Sequence, residues 1–208
     1  MTTPPGALEW IEEGDRVAAV RRNTRETSVS VKVSLDGTGA TSVSTGVGFY
    51  DHLLTSLGHH SLIDLEIEAT GDLDVDDHHT VEDVALVLGA ALARALGDRA
   101  GIRRFGDAVV PMDEAIASAA IDLGGRPYAV IDLPFRGERM GMLSTQLIEH
   151  ALEAFARAAG ATLHVSGSGR NDHHLAEAAF KALARALRMA SEADPRRIGV
   201  ASTKGSMS

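Results

Sequence analysis

Several stretches of the chain alternate hydrophobic and polar residues with a period of two, which is the pattern of β-strands with one buried face. Valine occupies every second position from Val29 to Val33, and Leu65 and Ile67 alternate with glutamates. A turn over residues 36–39 predicts a hairpin that joins the first of these strands to a returning strand. In chain order, the pattern predicts strands over residues 16–34, 40–44, 62–69, 115–122, 128–133 and 161–166.

Other stretches have apolar residues three and four positions apart, which is the spacing of amphipathic helices. They predict helices over residues 53–58, 77–96, 145–159 and 172–190. Strands and helices therefore occur twice in the same order. An offset of 95 residues superimposes His173 on His78 and Glu177 on Glu82.

This repetition predicts an α+β fold with two internally duplicated half-domains, each a mainly antiparallel four-stranded sheet backed by two helices. The first half is expected over residues 16–98 and the second over residues 99–192. Residues 1–15 are rich in proline, glycine and acidic side chains, so we expect a flexible N-terminal tail. Residues 193–208 are expected to be a C-terminal tail that carries a Ser-Thr-Lys-Gly motif.

Composition and charge narrow the class of protein. The chain has 208 residues, of which 44% are hydrophobic, and this is enough to bury a sizeable core. A formal net charge of −9 argues against a nucleic-acid-binding protein. The N-terminus does not resemble a signal peptide, and no apolar run is long enough to span a membrane, so we expect a cytoplasmic protein. The chain contains no cysteine, which excludes disulfides and thiolate metal ligands.

The sequence D-H-H-x-x-E occurs twice, each time at the start of a predicted helix. His78 and Glu82 lie four residues apart, as do His173 and Glu177, so each pair projects from one face of its helix. The second histidine of each motif points roughly 100° away. The aspartate that opens each motif is expected to cap the helix N-terminus. A single His-x-x-x-Glu is usually a solvated surface pair, but its repetition in register favours two metal sites.

Two further histidines, His52 and His150, occupy corresponding places in the two halves. The pseudosymmetry predicts that each metal ion takes three histidines and one glutamate, which leaves open positions for a substrate. Nitrogen and oxygen ligands suit Mn²⁺, Fe²⁺, Co²⁺, Ni²⁺ or Zn²⁺. The predicted sets are His78, Glu82, His150 and His174 for one ion, and His173, Glu177, His52 and His79 for the other.

Basic residues near loop ends offer donors for an anionic group. Arg104 and Arg126 can form bidentate contacts, and Ser202 and Lys204 stand in a Ser-Thr-Lys-Gly stretch that suits phosphate. Lys181 follows the second metal motif. Each of these residues alone is most simply a solvated surface charge.

The chain resembles the imidazoleglycerol-phosphate dehydratase family over about residues 16–205. The resemblance depends on many motifs in one order, so it is specific. They are Arg25-Glu26-Thr27, Gly46-Val47-Gly48-Phe49-Tyr50-Asp51-His52, the stretches 71–83 and 101–106, Pro111-Met112-Asp113-Glu114, Gly169-Arg170-Asn171-Asp172-His173-His174, Phe180-Lys181 and Ser202-Thr203-Lys204-Gly205.

The resemblance implies an enzyme of histidine biosynthesis that converts D-erythro-imidazole glycerol phosphate to imidazole acetol phosphate and water. It also implies two Mn²⁺ ions per active site and a homo-oligomer of twenty-four subunits with active sites at subunit contacts. The catalytic residues are then Glu26, Glu177 and Lys181. The substrate contacts are Glu26, Arg104, Arg126, Ser202 and Lys204. The division of proton transfer between the two glutamates stays open.

Two other functions fit part of the pattern. A metal-binding assembly protein would use the His/Glu sites only to join subunits, but it gives the basic residues no role. A dimetal hydrolase would activate a bridging water between ions about 3.5–4 Å apart. In this chain each glutamate pairs with a histidine of its own helix, which favours separate ions.

Overall fold

The alternating stretches form two sheets in a computed structural model, which describes residues 4 and 6–207. The first sheet has five strands in the order β1-β2-β3-β5-β4. Its strand β5 pairs antiparallel with β3 and parallel with β4. The elements of the first half are β1 (Leu8–Gly14), β2 (Val17–Asn23), β3 (Thr27–Ser34), β4 (Thr41–Ser44), α1 (Gly48–Ser61), β5 (Asp64–Gly71) and α2 (His78–Ala95).

The second half repeats this architecture. Its sheet has the order β6-β7-β11-β8, and β11 pairs antiparallel with β7 and parallel with β8. A short hairpin, β9-β10, is added to this half. The elements are β6 (Phe105–Met112), β7 (Ala115–Asp122), β8 (Tyr128–Asp132), β9 (Arg139–Met140), β10 (Leu143–Ser144), α3 (Gln146–Ala159), β11 (Thr162–Ser168) and α4 (Asp172–Ser191).

The order β2-β3-β5-β4 matches the order β6-β7-β11-β8, with one helix crossing between the parallel strands of each sheet. The prediction of a duplicated α+β fold with mostly antiparallel sheets and four helices is therefore confirmed. The buried sides of both sheets and the apolar sides of the helices share one hydrophobic core. Within the described ranges, no helix has the length and apolarity needed to cross a membrane.

Three expectations about the first sheet are wrong. Residues 16–34 form two antiparallel strands, β2 and β3, and not one strand. Leu8–Gly14 form the edge strand β1 instead of a flexible tail, so this sheet has five strands and not four. Tertiary contacts hold β1: the Arg94 guanidinium lies 5.1 Å from the Trp10 ring, and Lys32 pairs with Glu12. Residues 1–3 and 5 of the expected tail lie outside the described residues.

The predicted hairpin at residues 36–39 is the third error. Strands β3 and β4 do not pair, because β5 lies between them. Asp64, at the start of β5, accepts the backbone amides of Thr38 and Ala40 at 2.8 Å each. Asp64 therefore ties the connection between β3 and β4 to β5, the strand that lies between them.

The helices pack across the two halves. Helix α1 packs against α4, and α2 packs against α3. The α2–α3 contact is close, because a Cβ added at Gly89 would lie 2.6 Å from the Phe155 carbonyl oxygen. Each contact therefore combines one helix from each half, which brings side chains of the two repeats together.

Candidate metal centres and anion pocket

The α1–α4 contact joins His52 of α1 to His173 and Glu177 of α4. Their ligand atoms lie within 4.8 Å of one another. The Nε2 atoms of His52 and His173 lie 3.0 Å and 2.9 Å from Glu177 Oε1. We call these three residues the α1–α4 cluster.

Glu177 is held in place by its neighbours. Its residue is 7% exposed, and Lys181 Nζ donates to its Oε2 at 2.7 Å. Burial opposes ionisation, but the hydrogen bonds from Lys181 and His52 outweigh it and lower the pKa of Glu177 to about 2. The Phe49 ring lies 4.7 Å from the His173 ring and covers one side of the cluster. The carboxylate is therefore charged and oriented by the protein alone.

The α2–α3 contact joins His78 and Glu82 of α2 to His150 of α3, and we call these three residues the α2–α3 cluster. Glu82 lies 3.8 Å from His78 Nε2 and 3.4 Å from His150 Nε2. The rings of His78 and His150 are 4.9 Å apart. Arg157 is 3.8 Å from Glu82. The two clusters occupy corresponding places in the repeat.

The donor set and the hydrogen bonding of the α2–α3 cluster fit a metal ion. His150 Nε2 is buried and has no hydrogen-bond partner among the described residues. A buried nitrogen without a partner is costly, and a cation would satisfy it. Imidazole and carboxylate ligands suit divalent transition metals. Each cluster could therefore hold one ion through two histidines and one glutamate.

The predicted fourth ligands, His79 and His174, join neither cluster within the chain. Each binds a carboxylate instead: His79 Nδ1 lies 3.0 Å from Asp72, and His174 Nδ1 lies 2.9 Å from Glu114. These bonds raise the pKa of both histidines. The bond to His174, together with the Asn171 amide, lowers the pKa of Glu114 to about 2.

Metal-binding histidines commonly donate one ring N–H to a carboxylate, which orients the ring and leaves the other nitrogen for the metal. His79 and His174 have this arrangement through Nδ1, which leaves their Nε2 atoms for a metal, and Nε2 of His174 also lies 3.7 Å from the exposed Asp113 carboxylate. Neither partner, Asp72 or Glu114, was identified from the sequence. Glu114 ends the motif Pro111-Met112-Asp113-Glu114, and Asp72 begins an acidic run within the stretch 71–83. Membership in these motifs was the sequence signal that could have identified both residues.

Asp77 occupies the N-cap position of α2, but the expectation that Asp77 and Asp172 cap their helices through their side chains is wrong. The Asp77 side chain makes no capping bond, and α4 is capped by Asn171, whose side chain accepts the His173 amide. Asp77 and Asp172 accept hydrogen bonds from a distant segment between β8 and α3. Long-range donors have therefore displaced the local capping interaction.

Glu26 lies in the turn between β2 and β3, exposed and 3.9 Å from His79 Nδ1. Asp83 of α2 fixes this turn, because it accepts the Thr27 hydroxyl and pairs with Arg22 at 2.5 Å. The predicted carboxylate is thus next to one predicted metal ligand.

The predicted anion residues line one cavity of about 340 Å³. Arg104, Arg126, Ser202 and Lys204 all contribute to its wall. Arg104 is already engaged: it forms a two-bond contact with Asp122, at 2.6 and 2.9 Å, and donates to the Ala201 carbonyl. The Asp122 contact raises the pKa of Arg104. Arg104 therefore holds the C-terminal segment against the cavity.

A larger cavity of about 1020 Å³ opens beside the α1–α4 cluster. His52, His173 and Glu177 form part of its wall. Three arginines for which the sequence predicted no role also line it: Arg136, Arg139 and Arg170, of which Arg170 belongs to a family motif. Their sequence spacing gives no signal, because the fold gathers them from two separate segments.

Together, these features define the class of protein: a duplicated α+β chain with a His/His/Glu cluster at each of two equivalent helix contacts and a separate basic cavity. A family model described as imidazoleglycerol-phosphate dehydratase matches residues 45–187. The chain belongs to the imidazoleglycerol-phosphate dehydratase family.

Similar proteins support this assignment along the chain. The imidazoleglycerol-phosphate dehydratase of Granulibacter bethesdensis is 55% identical over 195 residues, which cover 92% of this chain and 99% of that protein. The protein of the same name from Paracidovorax citrulli is 52% identical over 209 residues and covers 100% of both. A crystal structure of imidazoleglycerol-phosphate dehydratase from Staphylococcus aureus matches with a TM-score of 0.78 and 35% identity, over 86% of this chain and 99% of that one. A structure from Pyrococcus furiosus matches with a TM-score of 0.78 and 36% identity, over 89% and 99%.

The predicted family is therefore confirmed, and so is the prediction of an enzyme of the hydro-lyase class. The chain is a dehydratase of histidine biosynthesis.

Proposed function

We propose that the chain converts D-erythro-imidazole glycerol phosphate to imidazole acetol phosphate and water, with two Mn²⁺ ions per active site. The observation that carries this proposal is the pair of three-ligand clusters at equivalent helix contacts. Divalent ions, when bound, supply Lewis acidity that lowers the pKa of an azole ligand. The substrate is expected to place its imidazole ring at the clusters and its phosphate elsewhere.

The phosphate site is proposed in the basic cavity. Arg126 and Lys204 supply charge there, and Ser202 supplies a hydroxyl. Among the described residues Arg126 forms no ion pair, so its guanidinium has no protein anion to displace. Arg104 contributes mainly through its contacts with Asp122 and Ala201, which set the shape of the cavity.

The chain's own carboxylates would move the protons. The hydroxyl on the carbon beside the ring leaves as water, a proton leaves the next carbon, and the resulting enol tautomerises to the ketone. Glu177 already contacts His52, His173 and Lys181. Glu26 is exposed, which favours Glu26 as the group that meets the reacting carbon. Lys181 would keep Glu177 oriented and neutralise negative charge nearby.

We infer that neighbouring subunits complete the metal sites, since His79 and His174 leave their clusters and keep Nε2 for a metal. Each ion would then gain one histidine from another copy of the chain, and the active form would contain twenty-four subunits. Each ion would still have three histidines and one glutamate, as predicted, but one of the three histidines would come from a neighbouring subunit.

Metal analysis combined with mass in solution tests the proposal. The purified protein should contain two Mn²⁺ per chain, have the mass of twenty-four subunits, and turn over imidazole glycerol phosphate. A chelator should lower the mass and abolish turnover. A monomer that is indifferent to chelator would contradict the proposal.

The same preparation separates the rival functions. A metal-dependent assembly without turnover would indicate an assembly protein, and release of inorganic phosphate would indicate a hydrolase. Glu26→Gln and Glu177→Gln variants, followed by solvent-deuterium exchange at the reacting carbon, test the proton transfer. Full activity in both variants would remove these glutamates from the mechanism.

A further inference from the structure

The two halves differ in the connection that precedes the first helix of each half. In the first half, residues 45–47 join β4 to α1, whereas in the second half residues 133–145 join β8 to α3. The longer connection contains strands β9 and β10 and turns at Gly141, whose φ of +61° suits a type II′ hairpin. We call residues 136–144 the bridging hairpin.

The bridging hairpin is fastened at both ends by the aspartates of the two D-H-H-x-x-E motifs. At one end, Asp77 accepts the Ser144 amide at 2.6 Å and the Ser144 hydroxyl at 3.0 Å. At the other end, Asp172 accepts the amide of Gly137 at 2.7 Å and that of Arg136 at 3.0 Å. Equivalent residues of the two repeats therefore bind one and the same segment.

The Asp77 end of the hairpin is buried, whereas the Asp172 end lies nearer the surface, where Asp172 is half-buried. Asp77 is 5% exposed, and Leu143, beside its partner Ser144, is fully buried. Buried carboxylates need such donors, because a charge left without partners is costly to bury. Thr145 adds a bond from its hydroxyl to the Gly137 carbonyl, which closes the base of the hairpin. Hydrogen bonds therefore hold both ends of the hairpin, while its residues 136–139 and its turn are exposed.

The hairpin also reaches the α1–α4 cluster through Phe49. A Cβ at Gly141 would lie 4.0 Å from the Phe49 Cβ. The Phe49 ring in turn lies 4.7 Å from the His173 ring and 6.0 Å from the His52 ring. The turn of the hairpin thus faces the aromatic side chain that covers this cluster.

We propose that the bridging hairpin positions the two metal clusters relative to each other, with Asp77 and Asp172 as positioning residues. Each aspartate directly precedes a histidine of its cluster, His78 or His173, so the bond fixes the first turn of that helix. Because both bonds end on one hairpin, a change at either helix start is transmitted to the other. This inference depends on the metal sites of the proposed function.

A purely structural role gives a different expectation. If each bond only stabilised its own helix end, removing it would lower stability and weaken the adjacent cluster alone. If the hairpin links the clusters, removing the Asp77 bond also weakens metal binding at the α1–α4 cluster. The Mn²⁺ affinity of the cluster that is not adjacent to the changed aspartate therefore distinguishes the two roles.

The test measures Mn²⁺ affinity by calorimetry in the full chain, with one cluster disabled at a time. In a His150→Ala background, only the α1–α4 cluster is intact, and Asp77→Ala should weaken its Mn²⁺ binding by about fivefold or more. In a His52→Ala background, Asp172→Ala should do the same at the α2–α3 cluster. With both clusters intact, each aspartate variant should weaken the adjacent site by about 10–100-fold, as for other residues that orient metal ligands.

Asp64→Ala is the matched control. Asp64 also accepts two backbone amides, those of Thr38 and Ala40, and it holds a loop near His59 at the far end of α1. Mn²⁺ affinity at both clusters should stay within twofold of the parent. Asp77→Asn retains an acceptor for the Ser144 amide and should restore much of the affinity lost in Asp77→Ala.

Hydrogen exchange in the metal-free chain checks the contact itself. Asp77→Ala should speed exchange of the Ser144 amide, and Asp172→Ala that of the Gly137 amide. Cross-cluster affinities that change less than twofold, although exchange is faster, would overturn the inference. If Asp77→Ala does not fold, Ser144→Ala, which removes only the hydroxyl bond to Asp77, tests the link in the same way. A parent chain that binds no Mn²⁺ would instead refute the proposed function.

Discussion

The α1–α4 and α2–α3 clusters have the same ligand types in corresponding places but different surroundings. Glu177 lies 2.9–3.0 Å from both histidines of its cluster, whereas Glu82 lies 3.4 and 3.8 Å from its two. The side chain of Glu177 is 9% exposed and that of Glu82 is 29% exposed. One carboxylate is therefore held in place before any metal binds, and the other is looser.

One residue accounts for much of this difference. Four positions after Glu177 stands Lys181, which donates to it at 2.7 Å, and four positions after Glu82 stands Leu86. The lysine orients the first carboxylate in the absence of a metal. In the α2–α3 cluster, the buried His150 Nε2 lies 3.4 Å from Glu82 but makes no hydrogen bond with the described part of the chain, and an ion would satisfy it. Duplication has thus kept the two histidines and one glutamate of each cluster, while the surroundings of the two clusters diverged.

The largest expected effect comes from removing a histidine from either cluster. His52→Ala and His150→Ala should each lower turnover more than about 100-fold, because losing a ligand should cost more than losing a residue that only orients one. Each variant should retain one Mn²⁺ per chain, as measured by metal analysis. His164→Ala, which removes an exposed histidine outside both clusters, should change neither quantity. Full activity in either ligand variant would mean that its cluster is not catalytic.

A smaller effect is expected from making the two clusters alike. Lys181→Leu places on α4 the residue type found at the same step of α2. Turnover should fall about 100-fold, as when one preorganised electrostatic contact is removed. Mn²⁺ content should stay at two per chain, because Lys181 is not a ligand. Arg185→Leu removes an exposed positive charge one turn further along α4 and should leave turnover unchanged. Loss of metal in Lys181→Leu would show that the lysine acts on ligand geometry instead.

The sequence predicted those parts of the fold that depend on local pattern. The valine alternation gave β3, and the offset of 95 residues gave the duplication. The edge strand β1 was missed because its residues do not alternate, and contacts such as Arg94 on Trp10 hold it. The insertion of β5 between β3 and β4 was missed because a turn sequence fixes a local reversal and not the identity of the neighbouring strand.

The site shows the same division between local and long-range information. Three members of each predicted ligand set lie together: His52, His173 and Glu177 in one cluster, and His78, Glu82 and His150 in the other. The i, i+4 spacing and the repeat were enough to predict these groupings. The direction of His79 depends on Asp72, in the loop just before α2, and the direction of His174 depends on Glu114, which is 60 residues away. Asp77 obeys no local capping rule, because donors of a distant hairpin compete for its carboxylate. Spacing along a helix predicts which residues lie on the same face. It does not predict which distant groups that face contacts.

The smallest expected effect tests one more difference between the two clusters, which is the spacing of the helix pair that carries each cluster. Gly89 faces the backbone of α3, and the residue at the same step of α4 is the fully buried Ala184. An added Cβ at Gly89 would lie 2.6 Å from the Phe155 carbonyl oxygen and 2.9 Å from the Ala158 Cβ, so Gly89→Ala must push α2 from α3. The free energy of unfolding should fall by about 1–3 kcal/mol from overpacking, partly offset by the better helix propensity of alanine, about 1 kcal/mol.

The same separation should widen the α2–α3 cluster alone, because Glu82 and His150 lie on the two helices that move apart. Mn²⁺ affinity should therefore fall a few-fold at this cluster and stay constant at the α1–α4 cluster, as measured in the His52→Ala and His150→Ala backgrounds. Gly14→Ala, whose Cβ would meet nothing closer than 3.9 Å, is the control for the substitution itself. Equal weakening at both clusters would mean that helix spacing acts through the whole core and not through the contact that carries each site.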